Sequence, residues 1–293
     1  MKSRLRPLAR ALLRAAGQVE AHLPGPTQPR WAPLFIVGPP RSGTTLVYQA
    51  ICRGLRVAYP TNLLVEGGLQ AAPHLYRVAA TLLGRRMQPG DSSGVPAVGV
   101  ARAGRDDFTS EHGRTRGPGS PHEAGALWSR WFDGDHLRPG GAQAMRTTLA
   151  RIEAVFDAPF VNKNVMLVPR IETLAQALPR ARFLEVRRDP AATARSIERA
   201  RTRAGATTTW WSVKPSNYLE LKDLPLAEQA MGQVLGVQAD IAQARERVGP
   251  ERFFTVQYEA FCARPRVVLA ELAAWWGVEP RLDQVPERFD ARG

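Results

Sequence analysis

The chain has 293 residues, 44% of them hydrophobic, a formal net charge of +13 and two cysteines. That length allows one large α/β domain with a sizeable core, while Cys52 and Cys262, with no CxxC and no His/Cys cluster, exclude a disulfide framework or structural zinc site. No apolar run approaches the roughly 20 residues of a membrane-spanning helix, so a cytoplasmic protein is expected.

Taken in order, residues 1–23 read as a basic amphipathic helix. Leu5, Leu8, Leu12 and Leu13 share one face, with Arg4, Arg6, Arg10 and Arg14 around the rest. Arg6, Pro7 and Arg10 interrupt the apolar residues, so no signal peptide is visible. Such a helix either packs on its own domain, the preferred reading, or makes peripheral contact with an anionic membrane surface. Pro24, Pro26, Pro29 and Pro33 form a stiff connector. Residues 1–30 are thus set apart from a single domain over 31–293.

The stretch Pro33 to Tyr48, PLFIVGPPRSGTTLVY, organises the rest. Leu34 to Val37 suit a strand buried on both faces. Gly38 ends it; Pro39, Pro40 and Gly43 break regular structure, and Thr44 or Thr45 opens a helix. Backbone N–H groups of such a loop converge before a helix N-terminus and bind phosphate. The spacing approaches a Walker A loop, but Thr44 stands where the Lys belongs, and the loop's cation is Arg41. A mid-loop Arg and two adjacent hydroxyls suit a single 5′-phosphate with a further anionic group attached.

A helix to Leu55 and a strand over Arg56–Tyr59 follow, with Glu66 beyond and a helix over 69–83. Residues 84–125 are glycine-rich and aperiodic, which in a compact chain marks a functional loop. Ser110-Glu111-His112 and His122-Glu123 fall there. Glu123 to Phe132 reads as a helix with Leu127, Trp128, Trp131 and Phe132 on its apolar face. Further helices are expected over Ala142–Asp157, Val168–Leu178, Pro190 to Arg203, Leu226–Val248 and Pro265–Trp276. Strands are expected at Phe160–Lys163, Arg182–Arg187 and Arg252–Gln257. This alternation predicts a three-layer α/β sandwich: a mostly parallel central sheet, helices on both faces and a phosphate loop.

Two other positions carry chemistry. Arg188 sits at the end of a strand, Pro190 at the first helical position, and Ser196 about two turns on, so Ser196 can return beside the strand end. A guanidinium fork and a hydroxyl there can grip a second phosphate. Lys163 ends a strand, where open α/β sheets place ligands. Only four of the 40 basic residues are Lys, so a Lys here is more informative than an Arg.

Three of these segments, with a fourth near the C-terminus, resemble one family. G-P-P-R-S-G-T-T, from Gly38, resembles the 5′-phosphosulfate loop of sulfotransferases that use 3′-phosphoadenosine 5′-phosphosulfate (PAPS), among them bacterial, tyrosylprotein and carbohydrate enzymes. FLEVRRDPAATARSIERAR resembles their 3′-phosphate segment. N-K-N, from Asn162, resembles their Asn-Lys-x-Pro segment, with Val165 in place of the Pro. VQYEAFCARPRVVLAELAAWWG resembles their closing strand–helix unit, and Tyr258 matches a position that approaches the nucleotide in some relatives.

The resemblance implies a sulfotransferase-like fold and a hydroxyl or amine acceptor, a small molecule, glycan or lipid. It implies PAPS as co-substrate, no metal and no nucleic-acid partner. Gly38, Pro40, Arg41, Ser42, Gly43, Thr44, Thr45, Leu46, Arg188, Ser196 and Tyr258 would then hold the donor. Lys163 and Arg41 would stabilise the transferring group. A base must take the acceptor's proton: Glu123 is the first candidate, Glu66 the second and His122 the third. Two alternatives are a small-molecule or nucleotide kinase and a non-catalytic anion-binding or membrane-surface module.

Overall fold

The computed structural model describes residues 24–66 and 119–291, with Ala15, Phe108 and Thr115. Apart from Ala15, the helices expected over 1–23 and 69–83, and most of 84–125, lie outside these residues.

In chain order, β1 (Leu34–Val37) precedes α1 (Thr44–Gly54) and the short α2 (Asn62–Glu66). After α3 (Gly125–Trp131), β2 (Phe132–Asp133) and β3 (His136–Leu137) form a small hairpin before α4 (Gly141–Phe156). β4 (Val161–Lys163) runs through a 3-10 segment (Val165–Arg170) into α5 (Ile171–Ala177). β5 (Arg182–Arg187) leads to α6 (Pro190–Arg203), α7 (Tyr218–Leu221) and α8 (Leu226–Val248). β6 (Phe253–Gln257), α9 (Tyr258–Ala263) and α10 (Pro265–Trp276) follow.

The main sheet has the order β4-β1-β5-β6. β5 pairs in parallel with β1 on one side and β6 on the other. All four side chains of β1 are 0% exposed, so both faces of the sheet are covered there. The register sets Phe35 opposite Phe183 and Phe183 opposite Phe253. Their rings follow, with centroids 6.0 and 5.0 Å apart across three strands. The fold is thus the expected α/β arrangement of a mostly parallel sheet with helices.

The described residues fall into two compact units. One holds the described residues of Met1–Ala32, Arg56–Asp133 and Leu137–Asn162; the other holds Pro33–Leu55, Gly134–His136 and the chain from Lys163 onward.

In the second unit α8 packs on α5 and α6, while α10 packs on α1, α9 and β6. Ala194, Ile197, Ala230 and Val234 form the seam between α6 and α8. The carboxylate of Glu185 is buried mid-strand. Arg187 Nε and Arg245 Nη2 each donate to it at 2.7 Å, and Arg245 also donates to Thr255 Oγ1 at 2.6 Å. A buried charge is tolerated when so paired and hydrogen-bonded.

In the first unit α3 packs on α4. Trp128 and Trp131 meet edge to face, 5.1 Å between centroids. Glu153, 1% exposed, ties the proline-rich connector down by accepting from Arg30 N at 2.7 Å and Phe160 N at 3.3 Å.

Three local expectations change. The strand expected over Arg56–Tyr59 is reduced to one parallel bridge, Ala58 to Phe160. Pro60 and Pro159 flank the bridge and have no N–H to extend a ladder. The helix expected from Val168 starts as the 3-10 turn at Val165 and becomes α-helical only at Ile171, past Pro169. The helix expected from Glu123 starts at Gly125, because Ala124 takes a left-handed φ of 55°.

Candidate functional site

The glycine-rich loop is fixed by close approaches that only glycine permits. At Gly38 a Cβ would lie 2.7 Å from the carbonyl oxygen of Val186 on β5. At Gly43, with φ +92°, it would lie 2.1 Å from the Tyr258 ring. Arg41 also takes a left-handed φ, 68°, uncommon for a residue with a Cβ.

Gly43 is the N-cap of α1, and no side chain caps the helix. The amides of its first turn, from Thr44 to Leu46, therefore present the positive end of the helix. Pro40, Ser42 and Thr44 are buried, and Ser42 Oγ has no hydrogen-bond partner among the described residues. A buried orphan hydroxyl beside uncapped amides is what an oxyanion satisfies.

The second strand–helix junction meets this loop. Asp189 caps α6 by accepting from Ala192 N at 2.7 Å, with Pro190 in the first turn. That start brings Ser196, 3% exposed, back to the sheet end. Arg41 Nε donates to Ser196 Oγ at 3.3 Å, and Arg188 Nη1 donates to the Arg41 carbonyl at 3.4 Å. The Arg188 guanidinium lies 4.8 Å over the Tyr258 ring.

The side chain of Arg188 is 9% exposed; its Nε is 4.0 Å from Glu259 and makes no hydrogen bond among the described residues. So one buried donor on each side of the junction, Ser42 Oγ and Arg188 Nε, is unsatisfied. Tyr258, hydrogen-bonded to Cys262, is pushed up to about 12, first by burial and then by its cysteine neighbour. The Arg41 pKa is lowered, first by desolvation where its guanidinium packs on protein and then by the like charges of Arg188, Arg199 and Arg203. Arg41 as a residue is exposed, so the desolvation concerns its guanidinium end near Ser196.

Lys163 is the last residue of β4, the neighbour of β1, and is 4% exposed. The structure thus brings Gly38 to Leu46, Arg188, Ser196 and Tyr258 together, with Lys163 in the same unit.

The candidate bases lie in the other unit. Glu66 is the last residue of α2. The start of α2 meets the segment that carries His122 and Glu123: Asn62 N donates to Ser120 O at 3.0 Å, and His122 N donates to Pro60 O at 2.8 Å. Asn162, fully buried, donates from Nδ2 to the His122 carbonyl at 3.1 Å and accepts from Trp128 Nε1 at 2.9 Å. Glu123 and His122 are half-buried.

Sequence reasoning missed Asn162 as a clamp, Glu259 beside Arg188, and the charges of Arg199 and Arg203 around Arg41. The helical spacing of Ser196, Arg199 and Arg203 was a readable signal; the two clamps arise only from tertiary packing. Among the described residues, no group of three or more His, Cys, Asp or Glu could hold a metal ion, and no helix is long and apolar enough to cross a membrane.

A model of the sulfotransferase family matches residues 33–283. Sulfotransferase STF1 from Mycobacterium tuberculosis H37Rv is similar at a TM-score of 0.52 and 17% identity, over 92% of this chain and 73% of that one. Sulfotransferase STF9 from Mycobacterium avium is similar at 0.51 and 18%, over 92% and 68%. The sulfotransferase domain from the curacin biosynthetic pathway is similar at 0.50 and 14%, over 91% and 80%. At these identities the likeness to solved structures speaks for the fold. No curated protein matches the chain.

Proposed function

The chain belongs to the sulfotransferase family, and we propose that it transfers a sulfuryl group from PAPS to a hydroxyl or amine of a small-molecule, glycan or lipid acceptor. One observation carries the choice of donor: the α1 loop and the Arg188–Ser196 junction meet, with Arg41 Nε 3.3 Å from Ser196 Oγ. Two anion grips side by side suit a nucleotide with phosphates at both 5′ and 3′ positions. The orphan donors Ser42 Oγ and Arg188 Nε fit that ligand.

Bound there, the donor would supply an activated S–O bond to its 5′-phosphate. The acceptor oxygen or nitrogen forms the new bond to sulfur, and the electron pair of the broken S–O bond passes to the phosphate. Residues 43–46 and Arg41 hold that growing charge, and Lys163 holds the sulfuryl oxygens. Burial of a Lys is costly and rare, and Lys163, at 4% exposure, places a cation at the end of β4, where open α/β sheets put their ligands. Arg188 and Ser196 grip the 3′-phosphate, and Tyr258 sets the Arg188 plane. The acceptor's proton passes to a carboxylate, for which Glu123 is the first assignment and Glu66 the second.

The test has two arms. Adenosine 3′,5′-bisphosphate should raise the melting temperature and ATP should not. Lys163→Ala should then abolish transfer of the SO₃ mass to an acceptor while sparing that stabilisation. Stabilisation by ATP alone would favour the kinase reading; donor binding with no transfer by the wild type would leave a binding module.

A further inference from the structure

The turn that carries Glu123 is pinned by nearly every polar group of its neighbour. His122 N donates to Pro60 O at 2.8 Å, its carbonyl accepts from Asn162 at 3.1 Å, and its ring Nδ1 accepts from Ala124 N at 2.7 Å. The third bond decides the chemistry of the ring. A backbone amide always donates, so Nδ1 must offer its lone pair and carries no hydrogen. A neutral imidazole has one N–H, which is then on Nε2. The ring's only lone pair is therefore spent on the chain's own backbone.

We infer that His122 is a positioning residue that fixes Glu123, held in the Nε2–H tautomer, and is not the group that takes the acceptor's proton. This rests on the sulfotransferase reading and sharpens it. A base must present a lone pair to the proton it removes. Using Nδ1 would break the bond to Ala124. Nε2 already holds the proton of the neutral ring.

The positioning role has a visible cause. Ala124 is buried with φ 55°, a left-handed path that is unfavourable for a residue with a Cβ. The Nδ1 bond holds that path, and Glu123 lies between its two ends. Asn162 completes the clamp from the strand side. Trp128 Nε1 can only donate, so it fixes the Asn162 amide with oxygen toward Trp128 and nitrogen toward the His122 carbonyl. β4 thus carries Asn162, which sets the base-bearing turn, immediately before Lys163.

Two substitutions separate the roles. In His122→Asn, the side-chain oxygen replaces Nδ1 and can accept from Ala124 N as an Asx turn does, but nothing replaces Nε2. His122→Gln reaches the place of Nε2 and loses the short-range acceptor. Imidazole ¹⁵N spectroscopy of the intact wild-type protein should show Nδ1 bare and Nε2 protonated at neutral pH. Hydrogen exchange at the Ala124 amide should stay slow in His122→Asn and become fast in His122→Gln. Neither measurement needs an acceptor.

Activity is read with PAPS and a phenol or alcohol that the wild type sulfates. His122→Asn should lose less than about tenfold in kcat, and His122→Gln about 10- to 100-fold through misplacement of Glu123. A proton on Nδ1 would overturn the inference. So would a His122→Asn variant that keeps slow Ala124 exchange yet loses as much kcat as Glu123→Gln. If the wild type transfers nothing, the sulfotransferase reading fails, while the tautomer and exchange results still judge the lock.

Discussion

Replacing Arg188 by Ala tests the donor site at its most exposed assumption, that this side chain holds the 3′-phosphate. The guanidinium is 9% exposed on its side chain, stacks 4.8 Å from the Tyr258 ring, and leaves Nε without a hydrogen bond. The acidic Glu259 lies 4.0 Å away and is half in solvent. Little in the free protein therefore satisfies the charge, and a phosphate would gain most of it. Removing one partner of a largely buried, hydrogen-bonded charge pair costs on the order of 2–5 kcal/mol. That is a loss of roughly thirtyfold to several thousandfold in Kd.

Titration calorimetry should show that loss for adenosine 3′,5′-bisphosphate. Adenosine 5′-monophosphate lacks the 3′ group and should lose little. The stacking lost with the guanidinium, about 0.5–2 kcal/mol, acts on the protein alike with either ligand, so it cancels in the comparison. Arg188→Lys keeps the charge without the planar fork and should fall between. Equal losses for the two nucleotides would mean that Arg188 acts on the loop and not on a 3′-phosphate, and the second grip would have to be abandoned.

Other outcomes follow from the same geometry. Gly43→Ala places a Cβ 2.1 Å from the Tyr258 ring at φ +92°; denaturant unfolding should show a loss of at least about 1–3 kcal/mol, and an unaffected midpoint would refute the loop path. Arg199→Gln with Arg203→Gln removes two exposed charges that act on Arg41. Stopped-flow should show slower nucleotide association, most at low salt, with dissociation nearly unchanged; rates insensitive to salt would deny the steering. Tyr258 is pushed up to about 12 from its ordinary 10. The folded state therefore keeps the proton longer than the unfolded chain, and stability from this group is full below about pH 10 and lost between about pH 10 and 12. Tyr258→Phe should flatten that part of the pH–stability curve, and an identical slope would contradict the burial.

How much was legible depended on the range of the signal. Leu34 to Val37, the glycines at 38 and 43 and the R-D-P start of α6 are local devices, and each stands where local chemistry puts it. The long helix α8 and the C-terminal α10 were also legible, since a proline or glycine stops each one. The hairpin β2–β3 has its local signal in Gly134-Asp135, with Gly134 at φ 55°, but the helical pattern just before it is stronger. The Glu123 helix was placed too early because propensity gives no reason to expect Ala124 in a left-handed conformation. It is held by the His122 Nδ1 bond to Ala124 N and, from far away in sequence, by the Asn162 bond to the His122 carbonyl. The meeting of Arg41 with Ser196 was readable only as a spacing on α6; the loop's turn toward it needed Arg41 itself at φ 68°.

That turn of Arg41 bears on the kinase alternative. A triphosphate enzyme needs its cation beyond the second loop glycine, where it can follow the β- and γ-phosphates. Here that position is Thr44, 3% exposed at the start of α1, and the cation lies before the glycine. Its left-handed backbone carries the guanidinium sideways to α6 and its carbonyl to Arg188. The loop's one charge is therefore turned toward Ser196 and Arg188 and not along the direction a chain of phosphates would take from the loop. Arg188, Arg199 and Arg203 crowd the same place and lower the pKa of Arg41 after desolvation has done so. Like charges gathered at such a cost are stabilised by a ligand with several negative charges close together, which supports a 3′,5′-bisphosphate nucleotide over a ligand that extends away from the loop.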